Sequence, residues 1–363
     1  MIVRCLPINE LAKRLVYIDV VVCIENKMKK RMNKLITINE IAKLANVSRT
    51  TVSRVLNNSG YVSDEARTRV LKVIKETGYI PSHQAKSLRT KQTKVIGVIL
   101  PKISTDTSSR IVSGMDEVFS EKGYQILLAN TNLKNEKEIE YLNLLKSRRV
   151  DGIILLATNI NENLVNEIKH INIPFVAVGQ EILHCSYIVH DDYNAAKTIT
   201  NILIEKGRKN IAFIGVYELD YSVGVLRKQG YYDALKENGL PIQPSYISIR
   251  DFKLESGYKA MEEIAKNNNV FPDGVFAATH RLAIGAMQYL KEKNMKIPDE
   301  ISVAGIGDSD LSKIYSPALT TIDLEYEEAG RKAAKILLWQ IEGKKVHEQK
   351  ITLGYRLIER DSI

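Results

Sequence analysis

From Val95 onward, short apolar runs alternate with stretches of helical pattern, and this alternation restricts the fold more than any other feature. The runs are VIGVIL, YQILLAN, DGIILLA, PFVAVG, IAFIGV, VFAAT and SVAGIG, and helical stretches such as residues 194–206 and 283–294 separate them. Alternating strands and helices form right-handed crossovers and a parallel sheet with helices on both faces. We therefore predict an α/β body with two lobes of doubly wound parallel sheet and a ligand cleft between them.

Before this pattern, the sequence has the signals of three short helices. Thr37 and Glu40 have the spacing of a capping box, in which each side chain bonds the backbone N–H of the other residue. Ser48 and Ser63 are favourable N-caps for the second and third helices. Because only a short break precedes Ser48, we predict a small all-α helix-turn-helix domain over residues 35–80.

The second of these helices opens with side chains suited to reading DNA. Its first turns carry Arg49, Thr50, Thr51 and Arg54. A recognition helix contacts base edges mainly with its N-terminal residues, and arginine matches the O6 and N7 acceptors of guanine. In the alternative interpretation the helix only packs in a core, where Val52, Val55 and Leu56 form a buried face and Thr51 supports the helix start.

The positive charge of the chain is concentrated around these helices. Residues 27–94 contain 16 Lys and Arg against 4 Asp and Glu, a net charge of +12, whereas the whole chain carries +9 and the remainder therefore −3. Phosphate contacts supply most of the non-specific affinity for nucleic acids. A basic segment on a mildly acidic body indicates DNA as a partner, and a solvated lysine-rich face is the alternative.

Composition and motifs argue against several classes of protein. Cys5, Cys23 and Cys185 have neither metal-ligand nor disulfide spacing, so we expect no metal site and a cytoplasmic location. The apolar residues 15–24 are fewer than the roughly 20 that span a bilayer, so we expect no membrane anchor. We expect residues 1–31 to be a non-native or disordered extension. Because a nucleophile elbow, a P-loop and an HExxH spacing are missing from the sequence, we expect neither an enzyme nor a cofactor.

The segment IAKLANVSRTTVSRVLNNSGYVSDEARTRVLKVIKETGYIPSHQAKSLR resembles the DNA-binding head of LacI-family regulators nearly position by position. The resemblance continues through the body to Arg360. It implies that the base-reading residues are Arg49, Thr50 and Arg54. It implies phosphate contacts from Ser48, Thr51, Ser53, Asn57 and Tyr61.

Residues 81–89, PSHQAKSLR, resemble the hinge helix of the same family. In that comparison Leu88 occupies the position of a leucine that wedges between base pairs in the minor groove, and Ala85 is the small residue where paired hinge helices pack. Lys86, at a phosphate-contacting position, and Ser82 replace the arginine and asparagine usual in the family. A plain linker is the alternative for so short a stretch.

The body resembles periplasmic sugar-binding proteins and LacI-type sensor domains. The supporting stretches are SRRVDGIILLA, GRKNIAFIG, PDEISVAGIGDSD and SPALTTIDLEYEEAGRKAA. The resemblance implies a hinge and linker at residues 81–93 and an effector-binding and dimerisation domain at residues 94–363. Chain crossings between the lobes are expected near Gly179, Asp323 and Leu353. Lobe 1 would then comprise residues 94–179 and 325–352, and lobe 2 residues 180–324 and 353–363.

The resemblance also implies a set of effector-binding residues. Arg227, in RKQGYYDAL, matches an anchoring arginine that can give a bidentate fork to sugar hydroxyls or to an anion, and a surface ion pair is the alternative. Lys102 stands where the family usually has an acidic residue, which favours an acidic or phosphorylated effector held by Lys102 and Arg227. The expected effector-binding residues are Lys102, Asp106, Gln180, Arg227, Thr279 and Asp308.

The chain departs from the family's sugar site at several positions. Thr279 and His280 replace a usual Asn-Asp pair, Gly307 replaces the first of two aspartates before Asp308, and residues 105–108 replace an Asn-Pro-Phe-Phe segment. We therefore do not expect the common hexose site intact. These departures resemble trehalose-type repressors and related regulators of disaccharides or disaccharide phosphates.

Together these features predict a LacI-family repressor of a sugar-utilisation operon. It would bind a palindromic double-stranded DNA operator as a homodimer and respond to a sugar or sugar-phosphate effector. The alternative is a global regulator of the catabolite-control type that uses a phosphoprotein corepressor.

Overall fold

The computed structural model describes residues 36–79, 92–158, 160–344 and 347–363. The chain divides into two compact units, Met1–Lys91 and Gln92–Ile363. The expected extension at residues 1–31 and the expected hinge helix at residues 81–89 lie outside the described residues. No helix among the described residues is long and apolar enough to cross a membrane.

The described part of the first unit is a three-helix domain. Its helices are α1 Ile38–Leu44, α2 Arg49–Asn57 and α3 Asp64–Thr77. The predicted caps are confirmed: Thr37 and Glu40 form the capping box, and the hydroxyls of Ser48 and Ser63 accept hydrogen bonds at the starts of α2 and α3. Each helix contributes apolar side chains to one small core, including the fully buried Ile41, Val52 and Val70.

The second unit contains the alternating strands and helices that the sequence predicts. Its strands are β1 Val95–Leu100, β2 Gln125–Asn130, β3 Gly152–Leu156, β4 Phe175–Val178, β5 Ser186–His190, β6 Ile211–Val216, β7 Ile247–Arg250, β8 Gly274–Ala277, β9 Ser302–Ile306, β10 Thr320–Asp323, β11 Lys350–Leu353 and β12 Arg356–Ile358. Its α-helices are α4 Asp106–Glu121, α5 Glu136–Ser147, α6 Glu162–Lys169, α7 Asp192–Glu205, α8 Arg227–Glu237, α9 Leu254–Asn267, α10 His280–Glu292, α11 Asp310–Ile314 and α12 Tyr326–Ile341. A π-helix, Tyr221–Leu226, leads directly into α8.

The strands form two six-stranded sheets, and each sheet is the centre of one lobe. The first sheet has the order β11-β5-β4-β3-β1-β2, with parallel pairing throughout. The second has the order β12-β10-β9-β8-β6-β7 and is parallel except for β12, which runs antiparallel to β10. The predicted α/β class with two doubly wound lobes is confirmed.

The first chain crossing lies further along the chain than expected. The sequence comparison placed it near Gly179, but β5 pairs with β4 in the first sheet, with Val178 opposite Ile188. The chain therefore leaves the first lobe only after His190, so that residues 180–190 belong to lobe 1. The strand was missed because SYIVH is short and carries polar residues at both ends. The other two passages between sheets follow Asp323 and Leu353.

Glycines allow pairs of helices to pack with their backbones in contact. In the first lobe, a Cβ at Gly114 of α4 would lie 2.0 Å from the carbonyl oxygen of Glu327, and a Cβ at Gly330 of α12 would lie 2.0 Å from that of Ile111. In the second lobe, Gly257 of α9 and Gly285 of α10 make the same kind of approach, each to the backbone of the opposite helix. These contacts leave no space for any side chain, so each helix pair has a fixed spacing.

Candidate DNA interface and effector cleft

The recognition helix α2 has one buried face and one polar face. Val52 and Val55 are buried in the core of the three-helix domain, whereas Arg49, Thr50 and Arg54 are exposed. The hydroxyl of Ser48 accepts from the backbone N–H of Thr51 at 3.0 Å and lies 2.9 Å from the Thr51 hydroxyl. Thr51 therefore helps to hold the start of the helix, as the alternative interpretation expected. The buried face orients the helix and leaves its basic side chains free for another molecule.

The segment after α2 continues this polar surface. Tyr61 is 87% exposed, which is unusual for a large aromatic side chain without a partner molecule. The side-chain amide of Asn57 donates to the carbonyl oxygen of Ser53 at 2.7 Å. A Cβ at Gly60 would lie 3.3 Å from Nε of Arg54, so the glycine lets the loop pass close to this arginine. The expected hinge residues Ala85, Lys86 and Leu88 lie outside the described residues.

A cavity of about 300 Å³ lies between the two lobes of the second unit. Side chains at the carboxyl ends of strands and at the starts of helices line it, which is where open α/β sheets bind ligands. All six expected effector-binding residues line this cavity: Lys102, Asp106, Gln180, Arg227, Thr279 and Asp308.

The floor of the cavity holds a buried ion pair. Nη2 of Arg227 lies 2.6 Å from Oδ1 of Asp192, Nε donates to the same oxygen at 2.7 Å, and Nη1 donates to the carbonyl oxygen of Ala278. Arg227 is only 3% exposed, so the alternative of a surface ion pair is wrong. Because Asp192 balances its charge, Arg227 offers a neutral unit rather than a free cation to a ligand.

Two further titratable groups lie beside this ion pair. Burial raises the pKa of the Asp220 carboxyl to about 6, although its Oδ1 accepts a hydrogen bond from the backbone of Val223. Burial lowers the pKa of His190 to about 4, so its imidazole is neutral at ordinary pH. Nε2 of His190 has no hydrogen-bond partner among the residues that the structure describes. Both side chains line the cavity, where the neutral imidazole of His190 and the carboxylate oxygens of Asp220 suit hydroxyl groups.

Gln180 joins the first lobe to the π-helix of the second. Its Nε2 donates to the carbonyl oxygen of Thr158 and to the hydroxyl of Ser222, each at 3.1 Å. The Ser222 hydroxyl in turn donates to the carbonyl oxygen of Gly179 at 2.9 Å. Gln180 therefore both lines the cavity and holds the two lobes together.

Elsewhere in the cavity lining, His280 bridges the lobes. Its Nε2 lies 3.0 Å from Oδ2 of Asp106, and this bond is the largest of the effects that lower the pKa of the Asp106 carboxyl. The hydroxyl of Thr279 caps α10 by accepting from the Leu282 amide. A Cβ at Gly307 would lie 2.8 Å from Nδ1 of His280. The histidine and the glycine, which both depart from the family pattern, therefore fit one another.

Arg110 is a central polar residue that sequence reasoning missed. Its Nε lies 2.6 Å from Oε1 of Glu327, Nη2 lies 3.1 Å from Oδ1 of Asp323, and Nη1 donates to the carbonyl oxygen of Asp308 at 3.0 Å. The carboxylate of Asp308 lies 2.7 Å from Arg360. Asp308 therefore has a protein partner already and is less available to a ligand than expected.

Other cavity residues that sequence reasoning missed include His190, Asp192, Asp220, Arg281 and Tyr326. His190 ends strand β5, and Asp220 follows strand β6 after a short loop. A polar residue at the carboxyl end of a strand was the available signal for both. No group of three or more metal-ligating side chains with the geometry of a metal site occurs in the described ranges.

The two units have known counterparts. Residues 37–82 match the family model for bacterial regulatory proteins of the lacI family, and residues 200–363 match a periplasmic binding protein-like domain. The chain is 34% identical over 328 residues to the HTH-type transcriptional regulator RegA of Clostridium saccharobutylicum, covering 90% of this chain and 98% of RegA. It is 33% identical over 330 residues to the HTH-type transcriptional repressor PurR of Histophilus somni (strain 2336), and the match covers 90% of this chain and 98% of PurR.

Solved structures agree with these relatives. A transcriptional regulator CelR–cellobiose complex is 29% identical with a TM-score of 0.68, covering 90% of this chain and 100% of that chain. The Lac repressor bound to ONPG is 25% identical with a TM-score of 0.81, and the match covers 91% of this chain and 100% of that chain. A helix-turn-helix domain followed by a two-lobed α/β body defines a DNA-binding transcriptional regulator, which is not an enzyme. The chain belongs to the lacI family of bacterial regulatory proteins.

Proposed function

We propose that the chain represses a sugar-utilisation operon and that a sugar or sugar phosphate in the cleft controls its affinity for the operator. The observation that carries this proposal is the cavity of about 300 Å³ whose polar lining comes from both lobes. A ligand that contacts both lobes stabilises the closed arrangement over the open one, and only such differential affinity shifts a conformational equilibrium. The cellobiose complex of the related CelR supports a sugar as the class of ligand.

The effector contacts in this proposal come from the cavity lining. The Arg227–Asp192 unit, Gln180 and Thr279 offer donors and acceptors to hydroxyl groups, while Asp106 and Lys102 lie at the side where His280 bridges the lobes. Asp308 contributes less directly, because Arg360 pairs with its carboxylate and Arg110 donates to its backbone carbonyl oxygen. A disaccharide or its phosphate, as in trehalose-type repressors, is our preferred effector.

For the DNA, we propose that Arg49, Thr50 and Arg54 read bases in the major groove. Ser48, Thr51, Ser53, Asn57, Tyr61 and Lys86 are proposed to contact phosphates. The exposure of Arg49, Thr50 and Arg54 on a helix anchored by Val52 and Val55 supports this assignment. The two kinds of contact have different roles: base contacts select the DNA sequence, and phosphate contacts fix the position of the domain on the duplex.

The proposal includes a homodimer on a palindromic operator, with half-sites about one helical turn apart. A single DNA-binding module of this size buries roughly 600–1,000 Å² of protein surface, too little for the affinity typical of specific sites. A second subunit supplies the other half-site and the second hinge segment. Ala85 would pack at the paired hinges, and Leu88 would wedge into the minor groove.

The test measures operator binding by the full chain. Fluorescence anisotropy at fixed salt reports the affinity in the presence of each member of a panel of sugars and sugar phosphates. Binding of a palindromic operator that changes by tenfold or more with one sugar supports the proposal. If no sugar or sugar phosphate changes operator affinity, and a phosphorylated carrier protein does, the chain is a global regulator of the corepressed type instead. Light scattering at micromolar concentration tests the dimer, and a monomer or a stable tetramer contradicts it.

A further inference from the structure

Most charged side chains that line the effector cavity are already paired. Arg110 pairs with Glu327 and Asp323, Arg227 with Asp192, and Lys253 with Asp251 at 2.9 Å. Lys102 and Arg281 differ from these, because neither side chain has a hydrogen-bond or ion-pair partner in the part of the chain that the structure describes. The cavity therefore contains two cations whose charge is available to a ligand.

These two cations come from different lobes and line the same cavity. Lys102 precedes α4 of the first lobe, and its carbonyl oxygen accepts from the Thr105 hydroxyl at 3.1 Å in the turn that leads to Asp106. Arg281 follows His280 in α10 of the second lobe and is close enough to Asp106 to lower the pKa of that carboxyl. Each cation therefore lies close in sequence to one partner of the His280–Asp106 bond that bridges the lobes, and both line the same cavity.

The local charge favours an anion at this point of the cavity. Asp106 contributes one negative charge, which the bond from His280 partly engages, against two positive charges from Lys102 and Arg281. The floor has the opposite character, because Asp192 and Asp220 repel an anion there and the charge of Arg227 is already balanced. A ligand with one anionic end and one hydroxyl-rich end matches this distribution.

We infer that Lys102 and Arg281 form an anion subsite that binds the phosphoryl group of the effector between the lobes. The arginine fork suits bidentate contact with two phosphate oxygens, and the lysine acts as a point charge on the same group. Because the two side chains belong to different lobes, binding of the anion also draws the lobes together. This inference rests on the proposed function, in which the effector occupies this cavity, and it assigns the anion to Arg281 in place of Arg227.

The test uses the full chain, the variants Lys102→Met and Arg281→Gln, and the variant with both changes. The control is Lys259→Met combined with Lys266→Gln, which removes two positive charges from exposed ion pairs on α9. The first probe is inorganic phosphate, added at constant ionic strength while thermal unfolding is followed. We expect phosphate to raise the Tm of the wild type and of the control, and to leave that of the double variant unchanged.

The second probe compares trehalose 6-phosphate and glucose 6-phosphate with the same sugars lacking phosphate, by calorimetry. We expect each single variant to lose about tenfold in affinity for a phosphorylated sugar, because each change removes one charge-assisted contact with the phosphoryl group. Affinity for the plain sugar should stay within about twofold of wild type.

The outcomes separate this inference from the proposed function. If phosphate stabilises the double variant as much as the control, there is no anion subsite at Lys102 and Arg281. If plain sugars alter operator affinity and the phosphorylated forms bind no better, the inference fails while the proposed function stands. If phosphate stabilisation requires the two cations but no sugar of either kind alters operator affinity, the subsite stands and the sugar-responsive function fails.

Discussion

Nε2 of His280 lies 3.0 Å from Oδ2 of Asp106, so the first turn of a helix in one lobe is bonded to the first turn of a helix in the other. Asp106 is half-exposed whereas His280 is largely buried, so the bond is partly screened by solvent. Its contribution to closure is therefore modest, roughly 0.2–1 kcal/mol. Even this amount changes the ratio of closed to open molecules by up to about fivefold.

We predict that Asp106→Ala shifts the unliganded protein toward the open arrangement. The expected result is a larger radius of gyration in small-angle scattering and a few-fold weaker affinity for a sugar without a phosphate. Asp116→Ala on the same helix is the control, because among the described residues the Asp116 side chain accepts a hydrogen bond only from Ser120, one turn along α4. Equal scattering curves for Asp106→Ala and wild type, with and without effector, would show that the His280 bond does not affect closure.

The Asp220 carboxyl gives a pH-dependent prediction. Its pKa of about 6 exceeds the ordinary value of 3.8, so between these values the folded protein binds more protons than the unfolded chain. The free energy of unfolding therefore rises as the pH falls from 6 toward 4. Asp220→Asn keeps an acceptor for the Val223 amide but removes this dependence. We expect it to gain roughly 1–3 kcal/mol relative to wild type at pH 7.5 and little at pH 4 in urea denaturation.

His190 should show the opposite dependence. Its pKa of about 4 lies below the ordinary 6.5, so between these values the unfolded chain binds more protons. The free energy of unfolding therefore falls as the pH falls from 6.5 toward 4. His190→Gln removes this loss, and we expect its stability relative to wild type to improve from pH 7.5 to pH 4.5. A relative stability that is independent of pH would mean that the imidazole is not desolvated in the folded protein.

Gly114→Ala tests the close packing of α4 against α12. Helix propensity alone predicts a gain of about 0.5–1 kcal/mol from this change. The new Cβ, however, would lie 2.0 Å from the carbonyl oxygen of Glu327, and relieving such overlap costs about 1–3 kcal/mol or more. We therefore expect a net loss of stability in chemical denaturation. Gly354→Ala is the control because nothing lies within 4 Å of its added Cβ, and an unchanged or raised stability of Gly114→Ala would contradict the packing argument.

In the DNA-binding domain, Arg49→Ala should weaken operator binding by about 1–3 kcal/mol and relax selection at one base pair of each half-site. Random DNA should be affected much less, because its binding depends on phosphate contacts. Lys72→Ala is a matched control, since Lys72 is exposed on α3 and, within the described ranges, pairs only with Glu76. Titrations of specific and random duplexes at one salt concentration make the comparison. Equal losses on both would make Arg49 a phosphate contact rather than a base reader.

Leu88→Ala should reduce the bend of the operator and weaken specific binding. The reason is that a leucine wedge partly unstacks a base step and kinks the duplex, at an energetic cost that further contacts offset. Bend angle and affinity should be measured on operator and random DNA, with and without effector. An unchanged bend would rule out the wedge even if the variant binds more weakly.

Local signals in the sequence predicted local structure well. The caps at Thr37, Ser48 and Ser63 were predictable because each depends on residues within one helical turn. The point at which the chain passes between the lobes was harder to predict, because the position of β5 depends on its pairing with β4 rather than on the SYIVH segment itself. The sequence also could not show that Arg227 would be neutralised, since its partner Asp192 lies 35 positions away.

The same limit applied to Arg110, whose partner Glu327 is 217 positions distant. Neither residue belongs to a local pattern, and only the packing of α4 on α12 brings them together. Resemblance to the family supplied six residues that line the cavity, but it did not supply their charge partners. The charge partners determine which positively charged side chains remain unpaired in the cavity. For this reason we propose that Arg281, rather than Arg227, binds the anionic group of the effector.

The glycine contacts within each lobe determine which parts of the two-lobed body can move relative to one another. Backbone-to-backbone packing at Gly114 and Gly330 in one lobe, and at Gly257 and Gly285 in the other, prevents these helices from sliding over one another. Deformation is then left to the three segments where the chain passes between sheets, after His190, Asp323 and Leu353. An effector does not need to reshape either lobe. In the proposed function, effector binding at one edge of the cleft moves each lobe as a rigid body about these three segments.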